Sequence, residues 1–333
     1  MATMPSERLM RKRRRDRAPV TSRSMALFRL GEMCNNKCPM CSNTGRPEAF
    51  FISEEALLQR VARLAVWGFR RVVLTGGEPT LHPSFFTIAE TLQAREITFD
   101  LNTHGRTFVD TAFAERCVGL GLERAIVSLH SHETEASRAM SGFSAQAHDD
   151  TLAGVRNLRS AGVGVMLNLV LSTWNLGHLA AFVRFSATEF GTDTLLKICF
   201  PYTGGKGGDW PAIQLRYDDI RQPLREAQQV AQTLGVRLLT ESIPNCVHGD
   251  PSSRDGSRSG FGETHYLDDV SGEQIYPIRF IESELKVWPE RCQSCAALAH
   301  CPGVQEAYAL RYGVDELRPF GGSDTATTVT AET

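Results

Sequence analysis

Three cysteines fall within eight residues, Cys34-Asn35-Asn36-Lys37-Cys38-Pro39-Met40-Cys41, a C-x3-C-x2-C spacing. Thiolates this close share one short loop and can converge on one soft metal centre. Structural zinc normally closes with four ligands, commonly as paired C-x2-C units. Three local thiolates with no nearby fourth leave a position open to substrate, which is the arrangement of a catalytic centre. A second set, Cys292, Cys295 and Cys301, has the spacing C-x2-C-x5-C, and taken alone it would fit zinc. Cys117 shares a helical face with Phe113 and Leu120, and Cys199 lies in an apolar run, so both are expected as small core residues. With Cys246 the total is nine. An odd count, in a chain whose basic N-terminal stretch is followed by no apolar h-region, argues against a secreted disulfide framework and for a reducing, cytoplasmic location.

The elements that must position these thiols alternate. Runs rich in β-branched and apolar residues occur at 26–30, 71–75, 97–102, 124–129, 163–171 and 195–200. Amphipathic stretches separate them at 53–67, 83–95, 108–120, 147–161, 175–190 and 218–234. In the first of these, Leu57, Leu58, Val61, Leu64 and Ala65 repeat at helical spacing. Ser53 ahead of Glu54 and Glu55 reads as its N-cap, and Gly68 as its stop. Six strand–helix repeats imply an α/β fold with a parallel sheet, because each parallel crossover needs a helix. Either an open sheet or a barrel then puts the active groups at the C-terminal strand ends.

The chain of 333 residues is 42% apolar and 22% charged, with a formal charge of −2. It carries no apolar run of the ~20 residues that span a bilayer. Residues 1–24 hold eight Lys/Arg against Glu7 and Asp16 and read as a solvated, disordered arm rather than a nucleic-acid contact. Residues 321–333 lack apolar periodicity and read as a disordered tail. The expected division is therefore a barrel at 25–235 and a smaller Cys-rich region at 236–320.

The C-x3-C-x2-C loop after the first strand, followed after the second strand by Thr75-Gly76-Gly77-Glu78-Pro79, resembles the radical S-adenosylmethionine (radical SAM) superfamily. The resemblance runs from about Met25 to Phe200. It implies a partial (β/α)6 TIM-like barrel holding a [4Fe–4S] cluster on Cys34, Cys38 and Cys41, with SAM chelating the fourth iron. It places Met40 beside the adenine, gives Gly76 and Gly77 a close backbone approach, and puts Glu78 near the ammonium of SAM. Ser128, Arg138 and Asn168 resemble groups that hold the ribose and carboxylate of SAM. Asn102, Thr103 and His104 end the third strand within reach of SAM or substrate, and His82 reads as structural.

The second set, with Gly303, Tyr308, Gly313, Glu316 and Pro319 downstream, resembles the SPASM or twitch extensions of that superfamily. These carry auxiliary iron–sulfur clusters. With Cys246 the set supplies the four thiolates of one [4Fe–4S] cluster. A full SPASM domain continues C-x2-C-x5-C-x3-C, whereas Gln305 stands at that next position and no cysteine follows Cys301, so the supply suits one auxiliary cluster. If Cys246 ligates, that cluster is closed and serves electron transfer or structure; if it does not, an iron is open to substrate.

The resemblance implies reductive cleavage of SAM and hydrogen abstraction by a 5′-deoxyadenosyl radical, with flavodoxin or ferredoxin as electron donor. A short basic arm, where peptide-modifying relatives carry a recognition domain, points toward a small polar substrate: a sugar, cyclitol or nucleoside-like metabolite of natural-product (antibiotic) biosynthesis. Dehydrogenation, epimerisation or decarboxylation would be the outcome. Peptide maturation is the second reading and a non-catalytic zinc module the third. Lys206, in a Gly-rich loop after the sixth strand, could meet a carboxylate or phosphate, and His130, His132, Glu241, Glu263 and His265 are unranked acids or bases.

Overall fold

A computed structural model describes residues 9–10, 20–41, 50–142, 144–202, 206–253, 263–267, 272, 274–278 and 285–321. Most of the basic arm and of the C-terminal tail lie outside these residues. A two-residue strand β1 (Leu9–Met10) precedes the barrel strands β2 (Ser24–Arg29), β3 (Arg71–Thr75), β4 (Thr98–Thr103), β5 (Leu122–Ser128), β6 (Gly164–Val170) and β7 (Leu195–Cys199). These six are the expected strands. β8 (Leu238–Glu241) and β9 (Glu263–Leu267), from the C-terminal third, add parallel to the two edges, and β10 (Ile275–Pro277) pairs antiparallel with β9. The resulting nine-stranded sheet runs β10-β9-β2-β3-β4-β5-β6-β7-β8.

Alternation along the strands divides the core. Val72 and Leu74 face the helices and join the main apolar cluster, while Val73 joins Met25, Ile126 and Met166 in a separate inner cluster. The inner cluster floors the barrel; above it the inward residues become polar. Outside pack α1 (Glu54–Val66), α2 (Phe85–Gln93), α3 (Thr111–Gly119), α4 (Thr134–Ser141), α5 (Ala145–Ser160), α6 (Leu179–Phe190) and α7 (Tyr217–Leu234). Ser53 caps α1 as expected, its hydroxyl accepting from the Ala56 N–H at 3.3 Å. α4 is an addition to the sequence reading: eight residues, too short to show periodicity.

The C-terminal region contributes α8 (Asn245–His248), β11 (Lys286–Pro289), β12 (Val304–Gln305) and α9 (Glu306–Tyr312), with β1-β11-β12 as a three-stranded antiparallel sheet. It docks on the first turns of α7. Arg216 pairs with Glu316, Arg221 donates to the Cys246 carbonyl at 2.6 Å, and the Asp218 N–H donates to Glu316 at 3.2 Å. Gln305 reaches the Pro201 carbonyl at 2.9 Å. Among the described residues no helix is long and apolar enough to cross a membrane.

Candidate functional site

The loop after β2 carries Cys34, Cys38 and Cys41 and is pinned from three sides. Its Lys37 N–H donates to the Ser141 carbonyl at the end of α4 (3.0 Å). The Gly77 N–H donates to the Gly31 carbonyl (3.0 Å) and the Glu78 N–H to the Met33 carbonyl (2.8 Å), so the GGEP turn docks directly on the stem of the cysteine loop. A Cβ on Gly76, whose φ is +142°, would lie 2.3 Å from the Gly31 oxygen, and one on Gly77 2.1 Å from the Met33 oxygen. Both glycines are thus required by backbone meeting backbone. On the third side His104, at the end of β4, accepts from the Arg106 N–H at Nδ1 (3.1 Å) and so donates from Nε2 to the Asn35 side chain (2.7 Å).

Glu78 is buried and its carboxylate is crowded with donors. Oε1 accepts from the Thr80 N–H (3.2 Å), the Thr80 hydroxyl (2.7 Å) and the Thr103 hydroxyl (2.9 Å); Oε2 accepts from the His104 N–H (2.8 Å). These bonds fasten the ends of β3 and β4 together. Burial lowers the His104 pKa despite the neighbouring Glu78, keeping the ring neutral for its bridging role.

The cysteines face a cavity of about 530 Å³ enclosed by the C-terminal strand ends. Of the residues read from the sequence, Cys34, Cys38, Cys41, Met40, Gly76, Gly77, Glu78, Ser128 and Asn168 all line it, as do Asn102, Thr103, His104, His130 and Glu241. Met40 also packs with Met140 and Ile213. Arg138 does not line the cavity: it stands on α4 with a half-exposed side chain, 3.8 Å from Glu135. His82 is structural, Nε2 donating to the Ile52 carbonyl (2.9 Å) and Nδ1 accepting from the Ser84 N–H (3.0 Å). His132 packs against Phe185, and His265 lies edge-on to Phe69, both away from the cavity. The side chains of Lys206 and Glu263 lie outside the described residues.

The wall opposite the thiols is one that sequence reasoning resolved poorly. Register aligns Ser128 with Asn168 and Asn168 with Lys197, and one layer higher Val170 with Cys199 and Cys199 with Glu241. The Lys197 ammonium meets Glu241 at 2.7 Å, and the Cys199 thiol donates to the Asn168 side-chain Oδ1 at 3.2 Å. Cys199, expected as packing, is therefore buried but part of the cavity wall. Its place in an inward register was the available signal; hydrophobicity hid it. His130 sits on the same wall, buried, with its pKa pushed down to about 4 by desolvation.

Burial pushes the Cys34 thiol up and the Cys38 thiol to about 12, with the other cysteines of the loop adding repulsion. Thiols held so far from ionisation become ligands when a metal centre supplies the compensating charge. Three soft donors on a substrate-sized cavity of mixed polar and apolar lining fit an iron–sulfur cluster with an open position.

The second cysteine set closes a different space. Cys246 from α8, Cys292, Cys295 and Cys301 line a cavity of about 20 Å³, together with Pro244, Trp288, Leu298, Val304 and Leu317 among others. The Gly303 N–H donates to the Cys301 sulfur at 3.4 Å, and a Cβ on Gly303 (φ +78°) would strike the Trp288 ring at 2.6 Å. Burial raises the Cys246 pKa, and Cys301 and Cys295 raise it further. Four thiols in apolar surroundings fit a fully cysteine-ligated cluster. Among the described residues no group of three or more His, Cys, Asp and Glu converges on a point that one metal ion would fill.

Residues 28–186 match the family model described as the Radical SAM superfamily. The chain is 30% identical over 168 residues to a protein of Sulfurisphaera tokodaii named probable GTP 3′,8-cyclase, covering 50% of this chain and 52% of that protein. It is 30% identical over 156 residues to a protein of the same name from Pyrococcus horikoshii, covering 46% and 47%. The chain thus spans about half the length of the curated relatives it matches. In fold it is similar to Streptococcus suis SuiB bound to S-adenosylmethionine, with TM-score 0.60, 12% identity, and 84% of this chain and 72% of that one covered. It is similar as well to anSMEcpe with bound AdoMet, with TM-score 0.55, 16% identity, and 77% and 71% covered.

Proposed function

We propose, from the premise that residues 28–186 are a radical SAM domain, that this chain is a radical SAM enzyme acting on a small polar, nucleoside- or sugar-like metabolite. The observation that carries the reading is the two-sided cavity, with three thiols on one wall and Asn168, Lys197, Cys199 and Glu241 on the other. Cys34, Cys38 and Cys41 would hold the [4Fe–4S] cluster that binds SAM. When bound, cluster and SAM supply a 5′-deoxyadenosyl radical able to take a hydrogen atom from an unactivated carbon.

The protein's own part is positioning and exclusion of water. Gly76, Gly77 and His104 hold the cysteine loop in shape. Glu78, already bound to four donors, offers its remaining lone pairs to a cation such as the SAM ammonium, while Ser128 and Asn168 face the space for the ribose. The Lys197–Glu241 pair presents a donor and an acceptor together, which suits hydroxyl- or phosphate-bearing substrates. The name GTP 3′,8-cyclase on the sequence relatives supports a nucleoside-like class. Cys246, Cys292, Cys295 and Cys301 would hold one closed auxiliary [4Fe–4S] cluster, and a flavodoxin- or ferredoxin-type protein would supply the electron.

Anaerobic reconstitution tests this. About eight irons and eight sulfides per chain are expected, with 5′-deoxyadenosine formed from SAM on reduction. Deuterium passing from a labelled nucleotide or sugar into 5′-deoxyadenosine would identify the substrate class. Transfer from peptides alone would replace that class with peptide maturation, and stoichiometric zinc without iron would overturn the enzyme reading.

A further inference from the structure

The barrel has a second mouth, at the N-terminal ends of its strands. There an open cleft of about 460 Å³ is lined by Arg124, Arg159, Arg237, Asp193, Gly162 and Gly164, with three apolar residues behind them. Arg124 enters from β5, Arg159 from the last turn of α5, and Arg237 from the residue just before β8. Gly164 is the register partner of Arg124, and a Cβ on Gly162 would meet nothing within 4 Å. The two glycines thus keep side chains out of the space that the arginines face. Ser128, Asn168 and Cys199 of the reaction cavity lie four residues further along β5, β6 and β7 from Arg124, Gly164 and Leu195. At the rise of a strand that is about 13 Å, and the apolar layer of Met25, Val73, Ile126 and Met166 stands between.

Three guanidiniums and one carboxylate line the cleft, an excess of two positive charges. Asp193 meets Arg159 at 2.7 Å from a largely exposed position. Asp100, the register partner of Arg124, and Glu123, its chain neighbour, both meet Arg71, at 2.5 and 2.9 Å. With these three included, four arginines still outnumber three carboxylates. Burial lowers the pKa of half-buried Arg124; Asp100 and Glu123 oppose this, while Arg71 and Arg237 reinforce it. Like charges gathered at a cleft repel, and an anion entering it relieves that repulsion.

A guanidinium offers paired N–H donors that match phosphoryl oxygens two at a time. The volume falls in the range of small-molecule sites, about 300–1,000 Å³, and exceeds what one phosphoryl group would fill. We propose that the N-terminal mouth of the barrel binds an oligophosphate anion, free or carried on a nucleotide, through Arg124, Arg159 and Arg237. This site is distinct from the reaction cavity and does not depend on the reading of either cysteine set.

The test is calorimetric titration of inorganic pyrophosphate, inorganic triphosphate and ATP into the full chain at low salt. Saturable binding that weakens as salt is added is expected. ATP binding more tightly than triphosphate would assign a nucleotide, and equal affinities a bare phosphate chain. Arg124→Gln and Arg237→Ala should each weaken pyrophosphate binding about tenfold or more. Arg237 is exposed, so its replacement leaves the fold standing, which denaturant titration checks. Arg116→Gln should leave the affinity unchanged, since that side chain lies over Phe86 and meets Glu90 between α2 and α3. Absence of saturable binding at millimolar anion, or equal weakening by Arg116→Gln, would overturn the proposal. So would loss of binding in Lys197→Gln with none in Arg237→Ala, which would place the anion in the reaction cavity. A short single-stranded oligonucleotide that binds through Arg237 where the small anions do not would replace the site with a nucleic-acid surface.

Discussion

Around Cys34, Cys38 and Cys41 the wall is wide and mixes polar with apolar groups, with about 530 Å³ bounded by strand ends from across the sheet. Around Cys246, Cys292, Cys295 and Cys301 it is apolar, and about 20 Å³ is left. The thiols are alike in type and in half-buried setting; their surroundings are not. On the proposed ligand sets, three thiolates beside a roomy cavity would leave a coordination position and space for reactants, and four in a tight apolar space would leave neither. What the comparison teaches is that thiol number and the space around the thiols vary together: few and open at the first set, more and closed at the second.

Substitutions can break this contrast, and the largest effect should come from the open site. Cys38→Ala is expected to abolish 5′-deoxyadenosine formation from SAM while about four irons per chain persist, measured by product chromatography and iron assay. Cys295→Ala should do the reverse, halving the iron yet leaving reductive SAM cleavage measurable. Loss of SAM cleavage in Cys295→Ala would mean the two sites are not independent. Gly77→Ala should destabilise the fold by about 2–3 kcal/mol, because its Cβ would stand 2.1 Å from the Met33 carbonyl oxygen. Denaturant titration of the variant, with cluster occupancy read alongside, checks it.

The smallest effect sharpens the comparison through pH. His130 lines the larger cavity with its folded pKa near 4, below its unfolded value, whereas among the described residues no histidine lines the smaller, apolar one. Its contribution is present above the unfolded pKa of ~6.5 and is lost as pH falls toward 4. Between pH 7.5 and 5.5 this amounts to about 1 kcal/mol. Urea unfolding at the two pH values, for the native chain and His130→Phe, should show the dependence flattened in the variant.

The cysteine loop and the GGEP turn were legible because their chemistry is local: a few consecutive residues on one loop fix both type and spacing. The six central strands were legible from periodicity. Lys197, Cys199 and Glu241 were obscure because their convergence depends on which layer of β6, β7 and β8 aligns, as Asn168 does with Lys197 and Cys199 with Glu241. Period-two alternation says which residues share a face and leaves open what they meet. Arg138 shows the converse: the right residue type near the right strand, turned toward Glu135 instead of the cavity. β9 escaped notice because it completes an edge beside β2, far away in sequence.

The docking of the Cys-rich region on the first turns of α7 has a consequence for the order of assembly. Arg216 and Glu316 stand 100 positions apart in the chain, and Tyr217 and Tyr308 stand 91 apart. Closing so long a loop is slow relative to forming the barrel's nearer contacts. The contacts that pin the first cysteine loop, to Gly77, Glu78, His104 and Ser141, all come from residues that precede this region in the chain, so that loop's scaffold does not depend on the closure of the later one.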